Sequence, residues 1–253
     1  GPLHPEPMGD DRRPEEAELW LRDRSGVLGE EGLELLGLYG VDSPTSAVAR
    51  TAEEAAALAA RIGFPVVLKV VSADAIHKTE VGGVLVNVGS SAAVVRGFAQ
   101  IRDNLALHRP EAQLAGIRVM AMVPEGIDLF IGGLQDPAFG PVVMFGSGGI
   151  LVELFQDVER VLCPSSPAEI RAKLERLKAG HLLAGVRGRP AIDPEPFIQA
   201  VANVARLLAD FPQIVELDVN PVRVLTSGKV VALDARMGVK PAPSRDEGKQ
   251  CDH

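Results

Sequence analysis

A hairpin near the C-terminal end constrains the fold most strongly. Glu216-Leu-Asp-Val-Asn-Pro221 and Val230-Val-Ala-Leu-Asp234 are β-prone runs joined through Thr226-Ser-Gly-Lys229, a turn centred on Ser227. A turn centred there sets Asn220 opposite Asp234 and Asp218 opposite Arg236. Directly opposed residues have Cβ atoms about 4.5–5.5 Å apart, close enough for two short oxygen side chains to share one cation. Period-2 alternation puts Glu216, Asp218 and Asn220 on one face and Leu217, Val219 and Leu233 on the other. Hard oxygen ligands in small number, with room for water and phosphate, suit Mg²⁺. The same register equally suits a solvated polar face with a cross-strand Asp218–Arg236 ion pair.

Lys69 stands inside Val66-Val-Leu-Lys-Val-Val71, a run apolar enough to be covered on both faces. A lysine there either reaches water at a sheet edge or meets an anion, because an unpaired buried ammonium is expensive. The loop that follows holds Ser72, Asp74, His77, Lys78 and Thr79, then Gly82-Gly83. Glycines just before a strand let backbone N–H groups approach phosphate oxygens. A loop His77 beside Lys78 is either a phosphoryl-accepting nucleophile or an exposed side chain. Gly146-Ser-Gly-Gly149 is a glycine turn open to anions, but it is neither the dinucleotide fingerprint nor a P-loop. Glu153 and Arg160 follow it, and Leu183-Ala-Gly-Val-Arg-Gly188 offers Arg187, as suited to phosphate as to a surface turn. Cys163, before Pro164, reads as packing.

Around these segments the chain reads as mixed helix and strand. Thr51-Ala-Glu-Glu54 and Ser166-Pro-Ala-Glu169 are capping boxes that open helices through Ile62 and Lys178. A short helix over Gly26–Tyr39, one over Val94–Leu107 and one from Asp193-Pro194 through Leu208 complete the helical set. Strands are expected at 66–71, 83–88, 116–123, 128–134, 141–145, 214–218, 222–225 and 230–234. They come in adjacent groups, so antiparallel pairing is expected rather than a doubly wound sheet. The fold class is α+β, drawn as two α+β lobes with a cleft between them.

Composition excludes several classes. A net charge of −8 opposes a broad nucleic-acid surface. No apolar run approaches the ~20 residues that span a bilayer. Two cysteines are too few for a disulfide framework or a zinc site, so a reducing, cytoplasmic setting fits.

Taken together, Phe64-Pro-Val-Val-Leu-Lys-Val-Val71, His77-Lys78, Gly82-Gly-Val84, Asp136-Pro-Ala-Phe-Gly-Pro141, Phe145-Gly-Ser-Gly-Gly149, Gly185-Val-Arg-Gly188 and Glu216-Leu-Asp-Val-Asn-Pro221 carry a family likeness. In this order the chain resembles the β subunit of ADP-forming acetate–CoA ligases, relatives of the succinyl-CoA synthetase β subunit, over roughly Gly26–Met237. The resemblance implies an ATP-grasp fold holding ATP/ADP between two lobes. With it, 26–125 and 126–239 are drawn as the N- and C-terminal lobes; residues 1–25 are set apart by composition as tag remnant and linker, with 11–24 read as a linker or a helix that docks elsewhere, and the polar 240–253 as a tail. Lys69, Gly82 and Gly83 then contact the nucleotide phosphates, with Asp128 and Glu153 at further nucleotide-facing positions. Asn220 and Asp234 become the Mg²⁺ ligands, Asp218 and Arg187 support phosphoryl transfer, and His77 becomes the second phosphate-carrying histidine. Met120-Ala121 stands where the family often carries Gln-Glu, and Asp128 where it carries Glu. The implied reaction joins an acid to CoA as ATP becomes ADP and phosphate. It needs an α subunit or domain with the CoA-binding and first phosphohistidine sites, hence a hetero-oligomer. Two alternatives remain at this level. One is a non-catalytic ATP-grasp-like module of an acetyltransferase or larger synthetase-like protein. The other is an amine-attaching carboxylate ligase, which the His77-Lys78 loop argues against.

Overall fold

The computed structural model describes residues 13–72, 81–148, 157–185, 188 and 190–241. In chain order it comprises α1 (Arg13–Leu21), β1 (Gly26–Leu28), α2 (Gly32–Leu38), β2 (Ser46–Ala49), α3 (Ala52–Ile62), β3 (Val66–Val71), β4 (Val84–Val88), α4 (Ser91–His108) and β5 (Gly116–Ala121). Then come β6 (Gly126–Asp136), β7 (Gly140–Ser147), β8 (Val158–Leu162), α5 (Pro167–Leu174), α6 (Lys178–Leu183), α7 (Glu195–Asp210), β9 (Ile214–Leu225), β10 (Val230–Ala232) and β11 (Ala235–Val239).

These elements form two compact units, one from Pro44 to Pro124 and one from the flanking segments up to Ser43 and from Glu125 onward. The 44–124 unit is a four-stranded sheet in the order β2-β5-β3-β4, all antiparallel. Val66, Leu68 and Val70 alternate onto the face that packs with Ala55, Leu58, Val94, Phe98 and Ile101 of α3 and α4. The helix starts follow their local chemistry. Thr51 Oγ1 accepts from the Glu54 N–H at 3.2 Å, and Ser90 Oγ accepts from the Ala93 N–H at 3.2 Å.

The flanking unit is a seven-stranded sheet in the order β1-β11-β9-β6-β7-β8, with β10 pairing β9. Its core joins Leu129, Ile131, Val143, Phe145, Leu217 and Val219 from one sheet face to Phe197, Val201, Val204 and Leu208 of α7. α7 qualifies because its apolar residues recur at helical spacing on one side.

Beyond shifts of a few residues at element ends and the added strands β2, β8 and β11, these differences from expectation bear on the architecture. Gly26–Leu28, read as the start of a helix in a 26–125 lobe, is a strand pairing Gly26 with Val239 and Leu28 with Met237. It therefore belongs with the C-terminal strands. Of the two readings of residues 11–24, the docked helix is the one found: α1 buries Ala17 and Leu21 in this core, and Trp20 Nε1 donates to Glu34 at 3.1 Å. The helix opened by Ser166 ends at Leu174, and α6 restarts at Lys178. Residues 214–225 form one continuous strand rather than two.

Candidate functional site

β11 lies against β9 with Arg236 opposite Asp218 and Ala235 opposite Val219. β10 continues the same register with Val230 opposite Val224, so both pairings are symmetric about Ser227. Between them the Asn220 N–H donates to the Asp234 carbonyl at 3.2 Å, which sets these two residues side by side. Leu217 and Val219 are sunk in the core, while Glu216, Asp218 and Arg236 are exposed and Asn220 and Asp234 are half-buried. The polar residues thus share the sheet face away from the helix-packed one. On β6 the residue opposite Asp218 is Gly132, which adds no side chain of its own, while Phe130 Cε2 stands 3.6 Å from where its Cβ would lie.

The face is electrostatically loaded. Partial desolvation, then the charges of Asp234 and Glu216, raise the Asp218 carboxyl above its ordinary value, and Arg236 offsets part of the rise. Asp218 is exposed, so solvent screens much of this interaction. A carboxyl with a raised folded-state pKa leaves the chain unpenalised below the unfolded value and lowers stability as pH rises through the folded value. Asp218→Asn should therefore raise the melting temperature slightly at pH 7 and leave it unchanged near pH 3, by thermal melts at the two pH values.

Asn220 and Asp234 offer two hard oxygen donors in register. Among the described residues no group of three or more His, Cys, Asp or Glu could hold a metal. A cation at the pair would draw its remaining ligands from water and phosphate, which is how Mg²⁺ is usually held. The donor set fits that ion.

The other expected residues fall in different places. Lys69 is 8 % exposed on β3, opposite Arg118 on β5 and Val84 on β4, on the face away from α3 and α4. Arg118, not singled out from the sequence, donates to Ser46 Oγ at 3.1 Å; its one signal is a lone cation within Gly116–Ala121. Gly82 has φ +63, and a Cβ there would lie 2.6 Å from Asn104 Nδ2. Asn104 Nδ2 in turn donates to the Gly82 carbonyl at 3.0 Å, and the Gly83 carbonyl accepts from the Val70 N–H at 2.7 Å. Gly82 thus has a local structural reason, while the bond to Gly83 is a main-chain one that any residue could make. Asp128, expected to face the nucleotide, is gripped by Arg223, with Nε to Oδ1 at 2.7 Å and the second nitrogen to Oδ2 at 2.9 Å. Both of its oxygens are accounted for within the fold. His77, Glu153 and Arg187 lie outside the described residues.

Gly146 and Gly148 line close backbone approaches, where a Cβ would meet the Asp157 carbonyl at 1.9 Å and the Leu129 carbonyl at 2.3 Å. Asp157 was missed altogether. Its buried carboxylate accepts from Ser147 Oγ at 2.6 Å and from the N–H groups of Lys178 and Ala179 at 2.8 and 2.9 Å. No local signal connects it to a helix start some twenty residues on. Burial lifts the Cys163 thiol to about 11, in keeping with a packing role. A cavity of about 380 Å³, bordered by Leu174, Ala184, Ile192 and Ile198, includes no residue of the β9–β11 face.

The ATP-grasp domain family model matches residues 20–239. The chain belongs to the ATP-grasp family. This ATP-grasp chain is 37 % identical over 207 residues to the acetate–CoA ligase [ADP-forming] I subunit beta of Pyrococcus furiosus, covering 82 % of this chain and 89 % of that one. It is 40 % identical over 211 residues to acetate–CoA ligase [ADP-forming] I of Archaeoglobus fulgidus, covering 83 % of this chain but 30 % of that longer relative. It therefore spans less than a third of the longer protein, and most of a separate β subunit. Among solved structures, Ca. Korarchaeum cryptofilum dinucleotide forming acetyl-coenzyme A synthetase 1, in complex with coenzyme A, Ca-AMPCP and HgCl+, superposes with a TM-score of 0.83 at 36 % identity, over 90 % of this chain and 100 % of that one. The same enzyme with coenzyme A and Mg-AMPPCP, its phosphohistidine segment pointing towards the nucleotide binding site, gives a TM-score of 0.76 at 34 % identity, covering 91 % and 100 % of the two chains. Among the described residues of the ATP-grasp chain, no helix is long and apolar enough to cross a membrane.

Proposed function

We propose that this ATP-grasp chain is the nucleotide-binding part of an ADP-forming acyl-CoA synthetase, which moves phosphate between a phosphohistidine and ADP or ATP. The observation that carries the reading is the register that sets Asn220 beside Asp234 on a carboxylate-rich, helix-free sheet face. In this reading Asn220 and Asp234 hold Mg²⁺, and Asp218 supports transfer beside it. When bound, the ion offsets charge on the transferring phosphate oxygens. Lys69 contacts nucleotide phosphate, with Gly82, Gly83 and Glu153 assigned to nucleotide contact by resemblance. His77 serves as the phosphate-carrying nitrogen and Arg187 as an accessory cation. Asp128 is left to its ion pair with Arg223. The relatives' β-subunit names support an α subunit or domain as partner, supplying the CoA and first phosphohistidine sites, in a cytoplasmic hetero-oligomer.

Titration calorimetry of the chain with Mg-ADP tests this directly. Asn220→Ala and Asp234→Ala should each weaken binding by about ten-fold or more, the usual penalty for removing a metal-site group. Binding that both variants leave untouched would overturn the metal assignment. A wild-type chain that takes up no nucleotide would instead point to a non-catalytic interaction module.

A further inference from the structure

We propose that Arg236 holds the terminal phosphoryl group of a bound nucleoside triphosphate. The inference deepens the nucleotide-binding reading and rests on it. From Asn220 and Asp234 the sheet face can be followed along the hairpin towards the turn or away from it. Towards the turn, Val222 and Ala232 are fully buried, and the outward side passes to Arg223. That guanidinium is already gripped by both oxygens of Asp128.

In the other direction, two residues further along the chain and so roughly 7 Å away, Arg236 on β11 stands exposed beside Asp218. Asp218 is its direct cross-strand neighbour, and Glu216 lies one step further on. An anionic tail cannot extend past two carboxylates unless a cation offsets them, and Arg236 is the cation placed among them. The adjoining position on β6 is Gly132. A Cβ there would meet nothing nearer than 3.6 Å, so packing does not require glycine at this point. The glycine leaves Asp218 without a directly opposed side chain on β6, with Phe130 Cε2 and Met144 Cε each 3.6 Å from where a Cβ would lie. Arginine suits the task because its planar fork can bind two phosphate oxygens at once, which an ammonium cannot.

A bland role is also available to Arg236, as the counter-charge of Asp218. The two roles separate by nucleotide. Calorimetry on the full chain would compare Mg-AMPPCP with Mg-ADP for wild type, Arg236→Gln and Arg236→Lys, with thermal melts to confirm folding. Arg236→Gln should weaken Mg-AMPPCP by about ten-fold, the scale of one lost charge-assisted contact, and shift Mg-ADP less than about two-fold. Arg236→Lys, which keeps the charge and loses the fork, should fall between. Equal losses for both nucleotides, or none for either, would overturn the assignment and leave the nucleotide-binding reading intact. A wild-type chain that binds neither nucleotide would remove that reading, and this inference with it.

Discussion

Gly146→Ala is expected to lower the melting temperature by roughly 6–12 °C, because the added methyl has no space. The Cβ would sit 1.9 Å from the Asp157 carbonyl and 2.9 Å from its carbon, both of them backbone atoms of the adjoining chain. Backbone cannot swing aside as a side-chain tip can, so β7 and β8 must part where Gly146 pairs with Val158. Overpacking against fixed atoms costs about 3 kcal/mol or more. In a domain of this size each kcal/mol moves the midpoint by about 2–4 °C. Circular-dichroism melts measure the shift, and a nucleotide titration well below the midpoint reads the folded fraction. Affinity should be retained there. A variant that melts normally yet loses nucleotide would mean that this turn touches ligand, as its glycine pattern first suggested, and that its glycines are not explained by packing.

That contrast shows where the sequence speaks and where it does not. The hairpin from Glu216 to Asp234 was legible because its information is local. A turn centred on Ser227, together with strict alternation, determines which side chains meet, and the observed pairs follow that symmetry. The capping boxes at Thr51 and Ser166 are local in the same way, each within three residues of its partner. Lys69 was legible as a lone charge in an apolar strand. What escaped was non-local. β1 finds its partner more than two hundred residues away at Met237–Val239, and nothing within Gly26–Leu28 announces it. β2 is four residues of Ser, Ala and Val that become a strand only because β5 offers an edge. Asp128 carries an acid's ordinary ambiguity until Arg223, on a strand 95 positions later, takes both of its oxygens.

The distribution has a functional meaning. Residues of the β9–β11 face have little structural work to do: they are exposed or half-buried, and their charges oppose one another. In the proposed reading, a face that places three carboxylates together without packing need serves the cation and phosphate it would receive. The glycine turn at 146–148 is the reverse case. It looked like a phosphate cradle, but its glycines are required by neighbouring carbonyls. Asking what a Cβ would meet separates the two kinds of glycine, since Gly132, beside Asp218, has room for one.

Asp157→Ala should lower stability by about 3–5 kcal/mol through the loss of three hydrogen bonds to one buried carboxylate. The acid is 8 % exposed and accepts from Ser147 Oγ, Lys178 N–H and Ala179 N–H. It therefore caps α6 from a distance and fastens that helix to the end of β7. Truncation leaves the Ala179 N–H and the Ser147 hydroxyl buried without acceptors, each costing about 1–3 kcal/mol when orphaned, and frees the half-buried Lys178 N–H at smaller cost. Asp157→Asn keeps one oxygen and should restore part of the loss, its amide nitrogen being unable to accept from the second N–H. Denaturant titrations of the two variants at pH 7 measure the difference. Equal destabilisation by Ala and Asn would defeat the capping account. Gly146 and Asp157 meet at one junction, so the double variant Gly146→Ala, Asp157→Ala should lose measurably less than the sum of its parts. Strict additivity would mean that β7 and α6 are anchored independently, against the geometry of the carboxylate that joins them.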